Sequence, residues 1–194
     1  MTVLRLLPAV LGLSLLSSDL LGQQQTLNVD PSKSEIHFTL GDPLHAVHGT
    51  FRVQTGKIYF DQKGGQMSGG IAVDARSGES GNGSRDRKMT EEELKAPSFN
   101  TVTFTPKRFG GTLAPLGDSG IVVDGTFTLL GTPHEISVPM QVHLDGSQCK
   151  VTGAFLIPYV KWGMKDPSTF ILHVGKEVTI DLILVGTVTP GRFD

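Results

Sequence analysis

From Leu27 onward, apolar side chains return at every second position, the period of a strand with one dry face and one wet face. Ile36, Phe38 and Leu40 set the first run, and Val47, Phe51 and Val53 the next, with Gly49 in phase. Ile71 with Val73, and Val102 with Phe104, follow. Val123, Phe127 and Leu129 share a phase with Gly125, and Ile136, Val138, Met140, Val142 and Leu144 hold theirs without interruption. Val151, Phe155 and Ile157 bracket Gly153, and Val178, Ile180, Leu182 and Leu184 complete the series. The pattern predicts roughly eight or nine antiparallel strands, the number of a sandwich or a closed barrel. Gly41-Asp42-Pro43, Gly64-Gly65, Gly110-Gly111, Gly117-Asp118, Gly131-Thr132-Pro133, Asp145-Gly146 and Gly175 supply the turn signals between them.

One interval breaks the rhythm. Gly81-Asn82-Gly83-Ser84 reads as a turn and Arg85 to Met89 as a helical turn. Thr90 with Glu93 three residues later reads as a capping box that starts a second short helix, which Pro97 ends. Such a segment fits a cap over one end of a closed sheet. Interior-phase glycines at Gly49, Gly125 and Gly153 either remove volume from the middle of that sheet or mark bends in it.

Composition agrees with a turn-rich β domain. The chain has 194 residues, 38% hydrophobic and 19% charged, with 24 Gly and 11 Pro. That length suits one domain. A formal charge of -2 lacks the basic footprint of a nucleic-acid binder, and the same balance gives no attraction to an anionic bilayer. Cys149 is the one cysteine, so neither an internal disulfide nor a cysteine zinc site supports the fold. Residues 1–22 read as a secretory signal peptide, with Arg5 as its n-region and Leu6 to Leu16 as its apolar core, too short to span a membrane. Gln23 stands where a lipidated cysteine would follow Leu20-Leu21-Gly22, so the mature protein is expected free in the periplasm or medium of a bacterium.

The candidate chemistry is sparse. The glycine turns at 78–86 lack the spacing of a nucleophile elbow or of a dinucleotide fingerprint. His45 and His48, three apart on a strand, point to opposite faces and read as surface or rim side chains rather than a metal pair. Arg85, Asp86, Arg87 and Lys88 form the one dense charged cluster. It suits either a ligand headgroup at the mouth of a barrel or an ion pair within the loop. The segment from Ile157 to Pro167 gathers Tyr159 and the single Trp162 between Pro158 and Pro167, which exclude a central strand there. An edge cover, an apolar lid and a dimer contact all remain open for it.

Taken in order, Val29-Asp30-Pro31, Ser34-x-Ile36-x-Phe38, Gly49-Thr50-Phe51, Ser68-Gly69-Gly70-Ile71-x-Val73-Asp74-Ala75, Gly81-Asn82 with Arg85-Asp86, and Gly125-x-Phe127-Thr128-Leu129 before Ile136-x-Val138-Pro139 resemble the YceI-like family of bacterial polyisoprenoid-binding proteins. The resemblance spans about residues 26 to 188. It implies an all-β, antiparallel, eight-stranded extended lipocalin-like barrel over residues 23–194, with a short helical cap segment. It further implies an exported carrier that is often a homodimer, holds a long-chain isoprenoid or other amphiphilic lipid inside, and has no catalytic residues, cofactor or metal. On that basis Ile36, Phe38, Phe51, Val53, Ile71, Val73, Phe104, Phe127, Leu129, Val138, Met140, Val142, Phe155, Ile157, Ile180 and Leu182 line the tunnel. Arg85 and Asp86 match the family's charged pair and, with Met89 and Trp162, stand as headgroup or rim residues. The sequence departs from the family's pattern at Leu44 to His48 and at Tyr159 to Phe170. The rival readings are a periplasmic metal-dependent enzyme and a ligand-free, stress-related interaction module.

Overall fold

The computed structural model describes residues 24–41, 46–166 and 175–190. The expected signal peptide lies outside them. The strands are β1 (Gln24–Val29), β2 (Glu35–Leu40), β3 (Val47–Phe51), β4 (Val53–Asp61), β5 (Met67–Asp74), β6 (Thr101–Gly111), β7 (Gly117–Leu129), β8 (Thr132–Asp145), β9 (Gln148–Ile157) and β10 (Val178–Pro190). They form one antiparallel sheet in the order β1-β4-β5-β6-β7-β8-β9-β10-β2-β3, and a β1–β10 pairing closes it. The result is the expected eight-stranded barrel, with β2 and β3 as two additional strands.

The extra strands have a local cause. β10 pairs with β2 through Val178 to Ile183 and with β1 through Gly186 to Pro190, so β1 and β2 are one line of chain broken between them. Pro31 offers no backbone N–H to continue the ladder. Asp30 accepts from Ser32 N at 3.0 Å to cap a single 3-10 turn over Pro31–Lys33. The Ser34 hydroxyl then repairs the ladder, donating to Asp30 O at 2.8 Å and accepting from Val185 N at 3.0 Å. Register shifts between Val53 and Thr55 in β4 and between Pro106 and Arg108 in β6 bulge the wall. The second shift lets Phe104, Pro106 and Phe109 all face inward despite their uneven spacing. Gly110-Gly111 and Gly117-Asp118 are not turns, as the sequence suggests, but the ends of β6 and β7, and residues 112–116 make the connection.

The helical segment also differs from its sequence reading. Asn82 accepts from Arg85 N at 3.0 Å and caps α1 (Gly83–Lys88), which runs directly into a π-helical turn over Met89–Glu93. No second helix starts at Thr90. Its hydroxyl donates back to Asp86 O at 2.9 Å, and the Glu93 carboxyl caps nothing. The capping-box spacing was satisfied in sequence, but the chain was already helical there, which left no free N–H for it to cap.

Two apolar clusters fill the barrel. The lower one joins Leu27, Ile58, Phe60, Phe109, Leu113, Leu144 and Val151 near the end closed by the short connections at 62–66, 112–116 and 146–147. The upper one gathers Leu94, Phe127, Leu129, Ile157 and Tyr159 beneath the helical segment and the residues after β9.

Candidate functional site

The candidate site is the lumen. The strand period turns every tunnel candidate to the inside, and none of them is exposed. Ile36, Val53, Ile71, Val73, Val138, Met140, Val142 and Leu182 belong to the lower cluster, and Phe127, Leu129 and Ile157 to the upper. Phe51, Phe104, Phe155 and Ile180 touch both clusters and are only half-buried. Their phase directs them at the barrel axis, between the two halves.

Phenylalanine rings lie over two of the three interior glycines, while Gly153 packs against Pro139 O, Met140 and Val138. A Cβ on Gly49 would meet the Phe38 ring at 2.4 Å, and one on Gly125 would meet the Phe104 ring at 2.7 Å. At Gly49 and Gly125 the missing side chain is therefore replaced by a neighbouring ring rather than left as a hole. Phe38 also packs at 5.5 Å from Phe51, so it too belongs to the lining.

Beside Val123 and Val138, neighbours across β7 and β8 and each 1% exposed, the barrel holds an apolar cavity of about 70 Å³. Of the tunnel candidates, Ile71, Phe104, Met140 and Val142 line it. Sequence reasoning missed much of the rest of its wall, including Ile58, Phe60, Met67 and Phe109. The Ile58-x-Phe60 alternation was a usable signal, whereas Phe109 is brought into phase only by the bulge. Cys149 is also in this wall, and burial pushes its thiol up to about 11, which keeps it protonated and inert.

At the upper end, residues after β9 fold over the mouth. Trp162 stacks on His134 with centroids 4.1 Å apart and lies 5.8 Å from Phe127, an inward residue of β7. Phe155 meets Phe127 edge-on at 6.0 Å. Tyr159 donates to Gly175 O at 2.7 Å, and burial, then the charges of Asp166 and Glu93, push its hydroxyl up to about 12. Met89 and Leu94 approach from the helical side. The remainder of the aromatic segment, from Pro167 on, falls outside the described residues.

Arg85 and Asp86 are engaged within the loop. Arg85 donates through Nε to the Ser80 hydroxyl at 2.7 Å and through a terminal nitrogen to Ser80 O at 2.9 Å. Asp86 accepts from Ser80 N at 2.9 Å and from its hydroxyl. The pair fixes the turn ahead of α1. Next to it, Thr50 and Glu79 exchange backbone hydrogen bonds of 2.8 and 3.0 Å, covering the edge of β3. His48 points outward, with Nδ1 3.0 Å from the Thr39 hydroxyl, while His45 lies outside the described residues. Among the described residues, no three His, Cys, Asp or Glu side chains gather as a metal ion requires.

The model of the YceI-like domain matches residues 27–185. BcnA of Burkholderia cenocepacia is 21% identical, covers 82% of this chain and 99% of its own, and superposes with a TM-score of 0.67. A polyisoprenoid-binding domain from Saccharophagus degradans, implicated in plant cell wall breakdown, is 19% identical over 84% of this chain and 98% of its own, with a TM-score of 0.66. The Campylobacter jejuni YceI protein is 16% identical over 67% of this chain and 78% of its own, with a TM-score of 0.53. These likenesses show the fold. No curated protein matches the chain.

Proposed function

The chain belongs to the YceI-like domain family, and on that premise we propose that it is an exported binding protein that takes the tail of a long-chain isoprenoid, or of a similar amphiphile, into its barrel. The observation that carries this reading is the apolar cavity in the barrel, lined without an exposed polar group, with half-buried Phe51, Phe104, Phe155 and Ile180 packed between it and the upper end. The Saccharophagus domain, described as polyisoprenoid-binding, supports the same tail chemistry.

The free space of about 70 Å³ is smaller than the roughly 150 Å³ that admits benzene in an engineered apolar cavity. A long tail therefore enters by displacing side chains. Met67 and Met140, unbranched and adaptable, border the cavity and are suited to that movement. Each buried five-carbon unit contributes roughly 3 to 4 kcal/mol gross, reduced by the ordering of the chain and the loss of its free motion. Several units suffice for firm retention without catalysis. Residues 1–22 supply the export signal and are absent from the mature protein in this reading, which places it in the periplasm or medium. Met89 and Trp162 form the rim, and Arg85 with Asp86 holds the cap in place.

The test is mass spectrometry of an organic extract of the protein purified from its native compartment. An isoprenoid or other long-chain amphiphile in stoichiometric amount is expected. A ligand-free protein that also fails to bind added prenyl lipids overturns the reading. N-terminal sequencing of the same sample checks the loss of residues 1–22.

A further inference from the structure

The carrier reading does not explain one group at the mouth. Both carboxyl oxygens of Glu93 are buried and have no hydrogen-bond partner, and the same holds for Nε2 of His134. Buried polar atoms nearly always find partners, and each exception calls for a physical explanation. Resting on the carrier reading, we propose that Glu93 and His134 receive the polar head of the amphiphile, and that this head donates hydrogen bonds and carries no negative charge.

The backbone aims Glu93 inward. It closes the π-helical turn, a form that recurs at functional sites. Its neighbours on that turn, Met89 and Leu94, both pack into the upper cluster, so this is the face the segment presents to the barrel. Its charge reaches Tyr159, whose backbone oxygen accepts from Trp162 N at 3.2 Å, and the Trp162 ring stacks on His134. The two unpartnered groups thus border one aromatic cluster over the lumen.

Three donors among the described residues of this region are already engaged. The Tyr159 hydroxyl donates to Gly175 O, Arg85 is bound to Ser80, and Lys176 faces Asp166 at 3.7 Å. What Glu93 and His134 leave open is acceptor capacity, since a carboxyl group accepts in either protonation state and a neutral imidazole accepts through one nitrogen. A protonated amine, an amide or a hydroxyl complements these groups. A phosphate at the same place meets the carboxylates of Glu93 and Asp166 and finds no free partner among the donors just named.

Geranylgeranyl amine, geranylgeraniol and geranylgeranyl monophosphate share one tail and differ only in the head. Trp162, the single tryptophan, reports their binding by its fluorescence. The expected order is amine, then alcohol, then phosphate, with about tenfold or more between the extremes, as for a hydrogen bond to a charged group. Glu93→Gln is expected to collapse that spread. His134→Phe keeps a ring on Trp162 and is expected to weaken the alcohol by roughly three- to tenfold. Without ligand, Glu93→Gln is expected to raise the melting temperature by about 2–4 °C, because an uncompensated buried carboxyl is removed. Equal affinities for the three heads, an unchanged spread in Glu93→Gln, or a lowered melting temperature overturns the headgroup assignment while the carrier reading stands. Failure of all three tails to bind overturns both.

Discussion

The two ends of the barrel are built from the same strands and end in opposite ways. At the lower end the chain turns back within a few residues, Leu113 from the β6–β7 connection is buried among Phe60 and Phe109, and Gln62 Nε2 holds Leu113 O at 2.9 Å. At the upper end long segments bridge β5 to β6 and β9 to β10, and inward side chains such as Phe155 and Ile180 keep part of their surface exposed. Alternation therefore makes a barrel, and the lengths of its connections decide which end is core and which is entrance. The β7–β8 turn shows the limit of that rule at the upper end. Leu130 and Gly131 adopt φ of 52° and 74°, the left-handed pair of a tight hairpin, so one short turn stands among the long segments.

The comparison can be broken most forcefully at Val138, in the buried wall. Val138→Asp places a charge where the side chain is 1% exposed. Its expected cost, several kcal/mol, is enough to abolish the cooperative melting transition seen by circular dichroism. Phe155→Asp, at a half-buried site facing the lumen, is expected to leave a measurable transition while prenyl lipid is no longer retained after gel filtration. If Val138→Asp folds normally, or Phe155→Asp unfolds the protein outright, the division into core and entrance is wrong.

Gly49→Ala tests whether the rings on the wall are tightly seated. The new Cβ would meet Glu79 O and the Phe38 ring, each at 2.4 Å, so a loss of about 1–3 kcal/mol in urea unfolding is expected. Trp162→Ala sharpens the description of the entrance. Removing the ring stacked on His134 is expected to cost stability by about 1 kcal/mol, and to speed lipid release in a stopped-flow chase.

The smallest effect belongs to the outer wall. Hydrogen bonds from Ser137 and then Arg108 hold Asp124 below its ordinary value of 3.8, and Lys107 followed by Thr126 does the same for Glu135, below 4.5. Because these carboxylates titrate lower in the folded protein, their contribution is complete above the unfolded values and fades as pH falls through the folded ones. Both are solvent-exposed, so replacing Asp124 and Glu135 by Asn and Gln is expected to flatten the acid limb of the melting curve only slightly below about pH 4.

The positions the sequence describes well are those governed by nearest neighbours. Ile136 to Leu144 alternate in β8 as the hydrophobic pattern requires, and Pro158 ends β9 where a missing N–H must end a ladder. Phe109 escapes that logic because the bulge near Lys107 shifts the parity of the strand. Glu93 escapes it for a different reason. Its spacing from Thr90 satisfies a helix-start pattern, but whether a helix is already running from Asn82 depends on how the whole segment lies across the barrel.

Sequence alone determined that this chain alternates into antiparallel strands with one apolar face, because side-chain direction in a strand follows position parity and needs no distant partner. Only the tertiary structure decided that the sheet closes, how much of its middle is filled, and that polar atoms of Glu93 and His134 are buried without partners. Volume and hydrogen-bond satisfaction depend on side chains far apart along the chain, such as the Phe38 ring over Gly49 and Trp162 against His134.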